Sequence, residues 1–122
     1  MLDKAIKHTR YPDDMDNECV PMCDFFNNVG LKTRFSCCGH GVEGYVVIFD
    51  DSVSDADIEK FIAKCSHEKD YTPLQGKFSC WMRKCGGVMV ENWMYEIPYS
   101  KRTISPMKRA KIDLDKMKRV NM

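Results

Sequence analysis

One hexapeptide, Ser36-Cys37-Cys38-Gly39-His40-Gly41, brings a hydroxyl, two thiols, an imidazole and two glycines into six consecutive positions. Glycine tolerates positive φ and lets backbone N–H groups approach a ligand, so such a turn can cradle an anion. Thiol and imidazole can also ligate a metal or move a proton. Read for binding, Arg34, Ser36, Cys37, Cys38, Gly39, His40 and Gly41 form a candidate site for a nucleotide, a nucleic acid or another anionic ligand. Arg34 and His40 add charge if they point the same way. Read for nucleophilic catalysis, Cys37 or Cys38 would need His40 as a base and a third group to orient it, and the sequence names no such group. Read for zinc, Cys37, His40, Cys65 and His67 are the best available ligands, because Cys-x-x-His is an accepted half-site spacing, yet no second pair has the usual partner spacing. Against all three stands a plain alternative: a tight strand connection in which the glycines serve only the turn and the cysteines fill small spaces.

The elements that must position this turn can be read from periodicity. From Asn17 the residues Cys19, Met22, Cys23, Phe26 and Val29 recur at three and four positions, the spacing of one helical face, and Gly30 suits a left-handed cap. Leu31, Thr33, Phe35 and Cys37 alternate with polar residues as a half-buried strand requires. Tyr45 to Phe49 is apolar on both parities and predicts an interior strand. Ser54 with acidic residues just after it predicts a helix start, and Ile58, Phe61, Ile62 and Cys65 give its stripe. Two further strands follow, Lys77 to Arg83 and Val88 to Ile97, joined through Cys85-Gly86-Gly87 as a hairpin. Ser105-Pro106 opens a final helix with Met107, Ala110, Leu114 and Met117 on one face. The expected fold is α+β: two helix-strand-strand units forming a four-stranded, mainly antiparallel sheet with helices on one face, plus a C-terminal helix. The expected organisation is a single domain, with 1–16 an irregular lead-in, 17–99 the core and 100–122 the basic C-terminal helix.

At 122 residues, with 43% hydrophobic and 30% charged, the chain has the material for one core. Its net charge of +1 argues against a globally basic nucleic-acid binder. The charge is unevenly placed: from Ser100 onward eight Lys/Arg face only Asp113 and Asp115, so the tail carries +6 and the remainder −5. The tail could contact phosphates, although it has no aromatic residue after Tyr99 to stack on bases, and a solvated helix docked by its Met/Leu stripe explains it as well. Seven cysteines without a signal-peptide pattern are expected to be reduced thiols in a cytoplasmic protein with no membrane segment. The oligomeric state is left open.

Glu18 through Asn27, then Phe35-Ser36-Cys37-Cys38-Gly39-His40 and the strand Tyr45 to Phe49, resemble the opening of the tRNA wybutosine-synthesis methyltransferase family. They also resemble small bacteriophage proteins that carry a Ser-Cys-Ser-Gly-His-Gly turn. The similarity covers about residues 17 to 65. The methyltransferase resemblance implies an RNA-modifying enzyme using S-adenosylmethionine, with Ser36, Cys37 and Gly39 contacting the ligand; Cys38 and His40 depart from that family's Ser and Arg. The phage resemblance implies a small accessory protein that binds a nucleotide, RNA or another anion at the turn. A third possibility is an interaction module acting on a host protein.

Overall fold

The computed structural model describes residues 17–37, 44–66, 73–102 and 104–121. A 3₁₀ turn, Asn17–Cys19, runs into helix α1, Val20–Asn28. Pro21 falls in its first turn, where a missing N–H has no helical partner to lose. Met22, Cys23, Phe25 and Phe26 form its buried face. Gly30 closes the helix at a φ of 91°, in the left-handed region, and the N–H groups of Gly30 and Leu31 return to the carbonyls of Asn27 and Phe26.

Strands β1, Thr33–Cys37, and β2, Tyr45–Phe49, pair antiparallel. The expected alternation along β1 does not hold throughout. Thr33 lies opposite Phe49 and Phe35 opposite Ile48, so two steps on β1 match one on β2 and Arg34 is the extra residue of a bulge. The slip reverses the faces beyond it. Thr33 and Ser36 join Phe49 and Val47 on the helix-covered side, whereas Phe35 and Cys37 turn to the other side with Ile48 and Val46. Asn27 fixes the start of the strand: its Nδ2 donates to the Cys23 carbonyl at 2.9 Å and to Thr33 Oγ1 at 3.1 Å, and its Oδ1 accepts the Thr33 N–H at 2.9 Å.

Helix α2, Asp55–Ser66, starts with the expected cap, made reciprocally. Ser54 Oγ accepts the Asp57 N–H at 3.2 Å while Asp57 Oδ2 accepts the Ser54 N–H at 2.9 Å. Strands β3, Lys77–Cys85, and β4, Val88–Ile97, form a hairpin whose first strand runs two residues beyond the sequence-based expectation. Gly86 and Gly87, at φ 58° and 82°, supply the two left-handed positions of its two-residue turn. Helix α3, Pro106–Val120, is capped by Ser105, whose Oγ accepts the Lys108 N–H at 3.3 Å.

The sheet order is β1-β2-β4-β3, every neighbour antiparallel. Among the described residues the three helices share one core with a single sheet face: Phe26, Phe61, Leu114 and Met117 pack with Tyr45, Val47, Phe49, Tyr95 and Ile97. Phe26 sits at its centre, with ring centroids 4.9 Å from Phe49, 5.8 Å from Tyr95 and 6.1 Å from Phe61. Ile48, though buried, stands outside that cluster because it faces the opposite side of the sheet. The α+β architecture expected from the sequence is the one observed. Among the described residues no helix is long and apolar enough to cross a membrane.

Candidate functional site

The Ser36–Gly41 turn joins β1 to β2. Cys38, Gly39, His40 and Gly41 lie outside the described residues, as does His67, so the site is defined by the side chains that flank them. Arg34 is at the far end of β1, roughly 10 Å from Cys37 at about 3.3 Å per strand residue. There its Nη1 donates to Asp51 Oδ1 at 2.7 Å, and the same oxygen accepts from Asn92 Nδ2 at 2.6 Å. Asn92 also donates to the Phe49 carbonyl at 2.9 Å, which ties the bulge to the middle of β4. The guanidinium therefore balances a carboxylate at the end of the sheet opposite the turn.

Ser36 and Cys37 point to opposite sides of the sheet. The Ser36 hydroxyl is buried, with no oxygen or nitrogen partner among the described residues and the Cys23 thiol as its neighbour. Beside it stands Cys23, whose thiol burial pushes up, with the Ser36 and Thr33 hydroxyls pulling the other way. Cys23 is thus held as the neutral thiol, a small core group rather than a nucleophile. Cys37 is half-buried on the other side. Cys65 belongs to the helix-side core, so Cys37 and Cys65 do not share a site. Among the described residues no group of three or more His, Cys, Asp or Glu could hold a metal.

Where the described chain resumes at Gly44, the fold brings it against the chain beyond β4. Tyr45 pairs with Ile97 and Lys77 with Glu96, so the starts of β2 and β3 and the end of β4 lie at one end of the sheet. Gly44, leading out of the turn, approaches this chain closely: a Cβ on it would lie 2.7 Å from the Ile97 carbonyl oxygen and 3.3 Å from the Pro98 Cα. Lys101 and Arg102, both exposed, follow shortly after. Arg109, one turn into α3, donates from Nη1 to the Pro98 carbonyl at 3.2 Å and from Nε to Gln75 Oε1 at 3.3 Å.

A clasp the sequence analysis did not single out holds this end together. Asp113, fully buried on α3, accepts the N–H groups of Gln75 at 2.7 Å and Gly76 at 2.8 Å and the Tyr95 hydroxyl at 2.6 Å. Burial, and then the Asp113 charge, push the Tyr95 hydroxyl far above its ordinary range, so it remains a proton donor to the carboxylate. With three donors and no exposure, this pair is structural. A signal was present: Asp113 falls three residues after Ala110 and four before Met117, on the buried stripe of an otherwise basic helix.

No curated protein and no solved structure matches the chain. The methyltransferase half of the resemblance therefore gains no support, whereas the bacteriophage half does. The profile of the YoqC prophage protein family matches residues 3–121, nearly the whole sequence, and the chain belongs to that family.

Proposed function

We propose that this prophage protein is a small binding module that takes an anionic ligand, a nucleotide or a segment of nucleic acid, at the end of the sheet where β1 leads into the Ser36–Gly41 segment and β4 leads into the basic stretch that follows it. The observation that carries this reading is the close approach of Gly44 to Ile97 and Pro98, a few residues before the exposed Lys101 and Arg102. Helix α3 begins just beyond, and a helix start carries partial positive charge and backbone N–H groups suited to an anion. Arg34 is not part of the proposed site, because Asp51 engages it at the other end. The test is anisotropy titration of the protein with labelled single-stranded RNA and with nucleotides at several salt concentrations. Binding should weaken as salt rises, and Lys101→Glu combined with Arg102→Glu should lower affinity at every salt and reduce the salt slope by about two. No binding at low salt, or binding untouched by the double substitution, removes the proposal.

A second reading, engagement of a host protein, is favoured by the β3–β4 ribbon. β2 pairs with β4 only from Tyr45 to Ile48, so the hairpin runs on past the sheet as two strands, with Met82 52% and Val88 64% exposed near its tip. Stoichiometric capture of one host protein that is lost on Met82→Asp or Val88→Asp would support this reading, and capture indifferent to both would end it.

A further inference from the structure

Strand β4 keeps a free edge inside the sheet. β2 pairs with it only from Tyr45 to Ile48, so among the described residues Val88 to Glu91 has β3 on one side and no strand on the other. The hairpin decides which backbone groups are left over. Cys85 and Val88 flank the two-residue Gly86-Gly87 turn and are its hydrogen-bonded pair, and from there bonded and non-bonded pairs alternate along the ribbon. Val88 and Val90 therefore turn their N–H and C=O groups to β3, whereas Met89 and Glu91 turn theirs to the open side. The two outer strands carry the usual protection against a further strand: β1 has its bulge at Arg34, and the sequence of β3 contains Lys77, Arg83 and Lys84. The run Val88-Met89-Val90 has no Lys and no Pro, and its register against β3 is unbroken.

The root of this edge is acidic. Asp55, at the start of α2, accepts Trp93 Nε1 at 2.6 Å, and Glu91 stands two residues before Trp93 on β4; both carboxylates are exposed. They bear on one spot: burial, then the charges of Glu91 and Asp55, push the Cys80 thiol above its ordinary value. We infer that the free edge of β4 accepts an extended, basic peptide segment of a partner protein as an added strand. Main-chain hydrogen bonds to Met89 and Glu91 hold the segment, and its Lys or Arg side chains are preferred because Asp55 and Glu91 meet them. The inference deepens the host-protein reading, on which it rests for the existence of a partner, by naming the kind of segment that partner presents.

The test uses the full chain, followed by NMR and amide exchange during titration with the capped peptide Lys-Thr-Val-Lys-Val-Thr-Lys and its counterpart with Glu in place of Lys. In the free protein the Val88 and Val90 amides should be protected and those of Met89 and Glu91 open to exchange. The Lys peptide should bind saturably, slow exchange at Met89 and Glu91, and bind about tenfold more tightly than the Glu peptide at low salt, the scale of two exposed ion pairs. Glu91→Lys should remove most of that preference. Met89→Pro deletes an outward N–H without touching the ladder to β3, a place where a strand tolerates proline, and should abolish binding. If that variant fails to fold, the Lys peptide N-methylated at alternate residues decides, since it cannot add to an edge and should not bind. No saturable binding, equal affinity for the two peptides, binding that survives N-methylation, or a free chain that already dimerises through this edge overturns the inference. Its failure is separable from that of the host-protein reading: host capture lost on Met82→Asp without peptide binding removes the added strand alone, and peptide binding without any host capture removes the host partner alone.

Discussion

Two buried hydroxyls have opposite situations. Ser36 Oγ is enclosed with only the Cys23 thiol beside it, so removing it discards a desolvated group and at most a weak thiol contact. Ser36→Ala should leave stability within about 1 kcal/mol of the parent, read from the urea midpoint at constant slope. Tyr95 is the reverse case. Tyr95→Phe should cost about 2 kcal/mol, because the hydroxyl is one of three donors to a buried carboxylate and bonds to charged groups carry the larger values. None of this was legible from residue types. Ser36 looked like a ligand-contacting residue because it stands in a reactive motif, and its burial follows from the bulge at Arg34, which no alternation pattern reveals. Arg34 similarly looked available to an anion, but Asp51, distant in sequence, claims it.

At the scale of elements the sequence is far more readable. Helical stripes, the Ser54 and Ser105 caps, the Gly30 terminator and the Gly86-Gly87 turn are all local signals, and the boundaries they imply agree with those observed to within one or two residues at most ends. The agreement is poorer for β1, where pairing begins at Thr33 and the register shifts one residue later. The cap on α2 is testable. Ser54→Ala should cost about 1 kcal/mol by removing the acceptor for the Asp57 N–H. The reciprocal bonds from Ser54 hold the Asp57 carboxyl below its ordinary value of 3.8, and Lys60 nearby assists. A carboxylate depressed in the folded state stabilises fully above that ordinary value, and its contribution disappears as pH falls through the lower folded value. Acid titration of stability below pH 4 should therefore be less steep in Ser54→Ala than in the parent, and equal steepness would contradict the cap as described.

At the scale of the molecule, strand order was the part out of reach of the sequence. Two helix-strand-strand units can be joined with several neighbours at the centre, and the choice of β2 beside β4 depends on contacts such as Val47 with Tyr95 that only the assembled core provides. The clasp on Asp113 belongs to this scale because it joins the loop before β3, the strand β4 and the helix α3. Asp113→Ala orphans the buried Tyr95 hydroxyl as well as the Gln75 and Gly76 N–H groups and should cost about 3 kcal/mol. Amide exchange at Gln75 and Gly76 should quicken more than at the α1 core. Gly76→Ala tests the same joint from the other side, since its Cβ would fall 2.4 Å from the Tyr95 ring, and a loss of about 1–3 kcal/mol is expected.

The strand order also has a consequence for biosynthesis. Of the four strands, β4 emerges last from the ribosome, yet it occupies an interior place between β2 and β3. Until it arrives, the inner edge of β2 is an unpaired template, and long-range pairing of this kind is slow and open to aggregation. Nascent chains stalled before Val88 should be the sticky ones, captured by chaperones, and those extended through α3 should escape them.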